Sequence, residues 1–108
     1  MPKTPPILPD PASVAAQLED IANRLVAGVR DASLQRPIND ATDSLLRLRD
    51  EEGVQLLARL GFQLLPSSSN RYASTGILKR GTAMMPFDEA RDTAELRRIA
   101  KDLRSRTV

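Results

Sequence analysis

Residues 50–75, DEEGVQLLARLGFQLLPSSSNRYAST, decide the predicted fold because they interrupt an otherwise helical pattern. The stretch predicts a short helix that stops at Gly61, followed by an apolar strand over Phe62–Leu65. Pro66 and the serine-rich run after it favour a turn, and Arg71–Thr75 has the composition of a second strand. A two-stranded hairpin alone is marginally stable in water, so we expect it to pack against helices.

Residues 40–60 predict two helices in preference to one. A single helix through this region would place Arg49 and Glu52 on its apolar face. A break near Asp50 avoids this, because Asp50 can cap the second helix and Gly61 can end it in the left-handed conformation. One long bent helix is the alternative that the pattern leaves open.

The segment that follows Asp10 predicts an amphipathic helix, since Asp10 can act as the N-cap and a proline comes next. Its apolar stripe is the candidate partner-binding surface. The 4-3-4 spacing of the stripe is also compatible with self-association through a short coiled coil. A stripe of two heptads is more often a core face than a dimer seam, so burial within the monomer is the competing interpretation. The stripe consists of Val14, Leu18, Ile21, Leu25 and Val29.

Two further helices complete the prediction of an α+β fold, mostly helical, with four helical segments packed around one small β-hairpin. The first follows a polar linker over Arg36–Asn39 and covers about residues 40–49. The last begins at Asp92, because an earlier start would direct the Asp92 carboxylate into the apolar face, and Glu95 would complete a capping box. Residues 76–91 are compatible with a strand, an ordered loop or a short helix.

The N-terminus differs from the rest of the chain in its proline content. Residues 1–11, MPKTPPILPDP, contain five of the eight prolines, which prevents regular backbone hydrogen bonding. We therefore expect a flexible Pro-rich arm over residues 1–11 and a single small domain over residues 12–108. No run approaches the roughly 18 apolar residues of a membrane span and no signal-peptide pattern is present, so we expect a cytoplasmic protein that does not enter the membrane.

The residue types that are missing exclude several kinds of chemistry. The chain contains no cysteine and no histidine, which removes disulfides, thiol nucleophiles and the commonest transition-metal ligand. Its five glycines occur singly, so there is no glycine-rich phosphate loop. No carboxylate, lysine, serine or tyrosine stands at a spacing that predicts an activated catalytic group. We therefore expect a protein without enzymatic activity, cofactor or metal.

Positive charge is concentrated in the C-terminal third of the chain. Residues 71–108 carry nine basic and five acidic side chains, a local net charge of +4 against +2 for the whole chain. Such a region is a common footprint of proteins that bind nucleic-acid phosphates, and it is also typical of a solvated helix face. The candidate nucleic-acid-binding residues are Asn70, Arg71, Lys79, Arg80, Arg97, Arg98, Lys101 and Arg104.

The run LLARLGFQLLPSSSNRYAST, residues 56–75, resembles the last helix and wing of winged helix-turn-helix regulators. In that family a helix ending in a leucine–glycine pair leads into a two-stranded wing that carries an Arg-Tyr step. The resemblance implies a DNA-binding role for the hairpin over residues 62–75 and for the basic C-terminal third.

The sequence therefore predicts one function and leaves one alternative. The first is a small non-enzymatic interaction or regulatory protein, such as an adaptor, an inhibitor or an antitoxin-like protein, that binds a protein partner or a second copy of itself through amphipathic helices. The alternative is a winged-helix-like DNA-binding regulator. Neither requires a cofactor or a metal ion.

Overall fold

The computed structural model describes residues 9–65 and 78–106 as helices packed around one apolar core. The elements are α1 (Pro11–Val26), a 3-10 turn (Ala32–Leu34), α2 (Gln35–Arg47), α3 (Glu51–Leu64), α4 (Arg80–Ala83) and α5 (Glu89–Ser105). The largest fully buried apolar side chains are Leu18, Ile21, Leu25, Leu34, Ile38, Leu45, Leu57, Leu60, Leu96 and Leu103.

The predicted β-hairpin is wrong, because the described residues contain no strand and the fold class is all-helical instead of α+β. Phe62–Leu64, the greater part of the predicted first strand, form the last turn of α3. Gly61 is buried inside that helix instead of ending it. Glycine in a helix interior costs only about 1 kcal/mol, less than the roughly 1.5–3 kcal/mol gained when one leucine is buried. Burial of Leu65 and packing of Leu64 against the core therefore carry the helix past Gly61. The predicted second strand, Arg71–Thr75, lies outside the described residues.

α1 and α5 pack against each other in antiparallel directions. In the middle of α1, Glu19 accepts a hydrogen bond of 2.5 Å from Arg104, which lies near the end of α5. Just beyond the end of α1, Arg30 donates to Glu89, the first residue of α5, at 2.9 Å. The apolar stripes of the two helices belong to the same buried cluster and form one side of the core.

α1 ends earlier than its apolar stripe predicts. The helix stops at Val26, and Gly28 has a φ of 88°, a left-handed conformation that glycine adopts without a Cβ penalty. The Gly28 N–H donates to the Leu25 carbonyl at 3.1 Å. The Val29 N–H donates to the Arg24 carbonyl at 3.0 Å, which completes a Schellman motif. Val29 therefore lies beyond the helix and packs at the edge of the core.

α2 begins earlier than predicted. The polar run Arg36–Asn39, predicted as a linker, belongs to the first turns of this helix. Pro37 is tolerated there because the first backbone N–H groups of a helix have no partner within it. The early start places Ile38, which is 1% exposed, on the buried face of the helix.

The predicted break near Asp50 is confirmed. α2 ends at Arg47 and α3 begins at Glu51. Asp50 is the N-cap of α3, and its Oδ1 accepts a hydrogen bond from the Gly53 N–H at 3.1 Å. A Cβ at Gly53 would lie 2.9 Å from Leu45 Cδ1, so this glycine allows α2 and α3 to approach each other closely.

Arg49, between α2 and α3, occupies a position that suits glycine. Its φ is 57°, a conformation that costs an L-residue about 1–2 kcal/mol. We therefore expect Arg49→Gly to raise the free energy of unfolding by about 0.5–1 kcal/mol, after allowance for the greater freedom of glycine in the unfolded chain. Urea unfolding of the two proteins measures the difference. Arg47→Gly, at the last helical residue of α2, is the control and should destabilise the protein; destabilisation by both changes would contradict the strain at Arg49.

Candidate functional site

The stripe predicted to bind a partner lies inside the core of this chain. Val14, Leu18, Ile21 and Leu25 are at most 1% exposed, and Val29 is partly buried at the edge of the core. The same cluster takes side chains from α2, α3 and α5. A partner could contact the stripe only after α1 had separated from these helices, so the stripe is not accessible in the folded chain.

The residues predicted to bind nucleic acid are distributed over two helices and the segment outside the described residues. Arg97, Arg98, Lys101 and Arg104 lie exposed on α5, Lys79 and Arg80 lie exposed at the start of α4, and Asn70 and Arg71 fall outside the described residues. The structure brings α4 against α3, where Lys79 forms an ion pair with Glu51. Lys79 is thus next to an acidic residue of α3.

Two arginines of α5 show how this charge is compensated. Arg98 forms ion pairs with Glu52 of α3 and with Glu95 of its own helix, the latter at 2.8 Å. Arg104 forms an ion pair with Glu19 of α1 at 2.5 Å, and this contact lowers the pKa of Glu19 and raises that of Arg104. Such exposed pairs contribute little to stability. They do reduce the positive charge available to phosphates.

Asp92 is not the N-cap that its sequence context predicts. α5 begins one turn earlier, and Asp88 is the N-cap, with a side chain that accepts a hydrogen bond from the Arg91 N–H at 3.1 Å. Asp92 therefore points into the apolar face of α5, and its side chain is 1% exposed. The burial is tolerated because Arg59 of α3, at 3% exposure, meets it there. A buried charge requires such a partner.

The Arg59–Asp92 contact is bidentate. Arg59 Nη2 donates to Asp92 Oδ1 at 2.6 Å, and Nη1 donates to Oδ2 at 3.1 Å. The carboxylate also accepts from Arg91 Nε at 3.2 Å and from the Asp88 N–H at 3.1 Å. A planar guanidinium and a carboxylate match in this geometry, which makes the pair directional as well as charged.

These contacts determine the protonation state of Asp92. Burial by itself raises the pKa of the carboxyl group, whereas hydrogen bonds from Arg59, the Asp88 N–H and Arg91, together with the Arg59 charge, lower it. The net effect is a pKa below the usual value of 3.8. Asp92 is therefore ionised at neutral pH.

The ion pair lies in a groove of about 380 Å³ between α3, α4 and α5. Leu56 of α3, Ile99 of α5 and Met85, which follows α4, supply its apolar lining. Glu52 and Glu95 are the half-exposed acids at its margin. The groove is thus apolar inside, acidic at one edge and crossed by a buried ion pair.

The sequence analysis did not predict the Arg59–Asp92 pair, although the positions of the two residues indicate it. Arg59 stands among the apolar residues of α3, and Asp92 stands at a core-facing position of the last helix. Opposite charges at core positions of two different helices indicate a buried pair, because each would otherwise be buried alone. The prediction instead moved the start of α5 so that Asp92 stayed outside the core.

Within residues 9–65 and 78–106, no group of three or more acidic side chains is arranged to hold a metal ion. No described helix combines the length and the apolar character that crossing a membrane requires. Comparisons with protein-family models, curated proteins and solved structures found no match.

Proposed function

We propose that this chain is a small non-enzymatic interaction protein that binds a protein partner in the groove between α3, α4 and α5. The observation that carries the proposal is the composition of the groove, an apolar lining of Leu56, Met85 and Ile99 beside the acids Glu52 and Glu95. An apolar centre with a polar rim is the usual anatomy of a protein interface. A partner helix with one apolar face is a common occupant of such a groove.

Two adjacent methionines favour this surface. Met85 lines the groove and is 44% exposed, and Met84 beside it is 74% exposed. The unbranched, polarisable methionine side chain adapts to irregular apolar surfaces, which suits a contact site. Met85 therefore supplies exposed apolar surface within the groove, and Met84 supplies more at the next position of the chain.

The state of Asp92 supports a non-enzymatic role. A general acid or base works best with a pKa near the operating pH, whereas the pKa of Asp92 lies below its usual value. Both carboxylate oxygens also accept hydrogen bonds from Arg59. The buried carboxylate in the groove is therefore held as a structural anion.

A protein occupant accounts for the groove better than DNA. The winged-helix interpretation required a strand from Phe62, and α3 continues through that residue. Arg98, at the edge of the groove, is already paired with Glu52 and Glu95. Phosphates would have to displace these carboxylates before they could pair with Arg98.

Site-specific cross-linking tests the proposal. A benzophenone amino acid at position 85 should cross-link one protein in cells, whereas the same group at Val26, 52% exposed beyond the groove, should not. The cross-linked protein, once purified, should bind the parent chain. Met85→Asp should weaken this binding roughly tenfold or more, since a charge enters an apolar contact, and Val26→Asp should leave it unchanged.

Two kinds of result would contradict or replace the docking proposal. Equal cross-linking from positions 85 and 26, or equal binding by the Met85→Asp variant, would contradict a docking site in the groove. Sequence-selective binding to duplex DNA at submicromolar concentration, with a salt slope of about −0.9 per phosphate contact, would replace the proposal by the DNA-binding alternative.

A further inference from the structure

We infer that the buried Arg59–Asp92 pair is the positioning element of the groove, because it holds the connecting segment Met84–Asp88 against α3 and α5. The inference rests on the proposed function, since it concerns how Met85 becomes a wall of the docking groove. Both members of the pair are linked to backbone groups of this segment. One set of hydrogen bonds passes through a side chain of α3, and the other passes through side chains of α5.

The link along α3 passes through Gln63. Arg59 Nη1 donates to Gln63 Oε1 at 3.3 Å, which fixes the orientation of the amide. Gln63 Nε2 then donates to the Met85 carbonyl at 2.5 Å. The arginine therefore determines which end of the Gln63 amide is available to the connecting segment, because the oxygen end is already used as an acceptor.

The link along α5 starts from both oxygens of Asp92. Oδ1 accepts from Arg91 Nε at 3.2 Å, and the guanidinium of Arg91 donates to the Pro86 carbonyl. Oδ2 accepts from the Asp88 N–H at 3.1 Å. The carbonyls of residues 85 and 86 and the N–H of residue 88 are thus all held by side chains that the ion pair orients.

A role in positioning the segment Met84–Asp88 explains the charges of Arg59 and Asp92 better than a contribution to stability does. Replacing a buried ion pair by apolar residues of similar volume is often neutral or stabilising, so stability alone does not require charges here. An apolar pair could fill the same space but could neither orient Gln63 nor accept from Asp88 and Arg91. Phe87 anchors the far part of the segment separately, by packing against the core under Arg30, whose guanidinium carbon lies 4.8 Å from the ring centroid.

The test uses the double variant Arg59→Met/Asp92→Leu in the full chain, without any partner. We expect its melting temperature to stay close to that of the parent, because packing is kept. The Met85 N–H donates to the Thr82 carbonyl, so its hydrogen exchange reports how often the segment that carries it opens. This exchange should become roughly tenfold faster in the double variant, because the ion pair no longer holds the segment closed. Arg104→Gln, which removes a distant exposed ion pair with Glu19, is the matched control and should leave this exchange unchanged.

A second variant keeps the test valid if the double variant has a much lower melting temperature than the parent. Gln63→Met keeps the Arg59–Asp92 ion pair and removes the two hydrogen bonds of the Gln63 amide, one from Arg59 and one to the Met85 carbonyl. Met85 exchange should again accelerate at an unchanged melting temperature. Unchanged exchange in Gln63→Met, or in a stable double variant, would overturn the inference. No partner takes part in these measurements, so failure of the docking proposal is detected separately by the cross-linking experiment.

Discussion

Replacing Asp92 by alanine should lower the free energy of unfolding by about 3–5 kcal/mol, because Arg59 then keeps a buried charge without its carboxylate. This is a large fraction of the roughly 5–15 kcal/mol expected for a small domain. Urea unfolding at neutral pH measures the loss. The control is Glu19→Ala, which breaks an ion pair of half-exposed side chains and should have a much smaller effect. Equal stability of Asp92→Ala and the parent would show that Arg59 reaches water.

The same carboxylate predicts how stability depends on pH. The pKa of Asp92 is lowered in the folded chain, so the unfolded state binds more protons than the folded state as the pH falls past the usual aspartate pKa of 3.8. Its contribution is therefore complete above the unfolded pKa and is lost as the pH falls through the folded pKa. As the pH falls below the usual aspartate pKa of 3.8, the parent should lose stability more steeply than Arg59→Met/Asp92→Leu. Parallel pH profiles of the two proteins would contradict an ionised Asp92.

Leu18→Ala and Leu25→Ala should each destabilise the chain by about 2–5 kcal/mol, since both leucines are fully buried and each change leaves a cavity. Thermal or urea unfolding measures the loss. Val26→Ala is the matched control on the same helix, because Val26 is 52% exposed, and it should change stability by no more than about 0.5 kcal/mol. If both leucine variants unfolded like the parent, the stripe of α1 would face water and would be free for a partner.

Local patterns predicted the elements whose signals were strong and unopposed. The first helix begins after Asp10 with Pro11 in its first turn, as the proline and the apolar period indicate. The helix break at Asp50 could be predicted because one continuous helix would have put Arg49 on an apolar face. In both cases the chemistry of the helix end agrees with the packing, so short-range and long-range forces favour the same boundary.

The prediction of a hairpin was wrong because the local sequence preference at Gly61 opposed the tertiary packing. Gly61 favours a helix end by about 1 kcal/mol, and α3 overrides it to bury Leu65. The start of α5 was misplaced for a related reason, since a lone aspartate does belong outside a core. Arg59, 33 residues away in the chain, changes that balance, and no local pattern connects the two positions.

By itself the sequence determined the apolar stripe of α1, the helix break capped by Asp50 and the absence of cysteine and histidine chemistry. Periodicity and capping are properties of neighbouring residues, and composition is a property of the chain as a whole. Only the tertiary structure decided that α3 continues past Gly61, that Arg59 and Asp92 are buried together, and that Met85 forms a groove wall. Each of these depends on contacts between residues far apart in the chain, whose free energies exceed the local preferences they oppose.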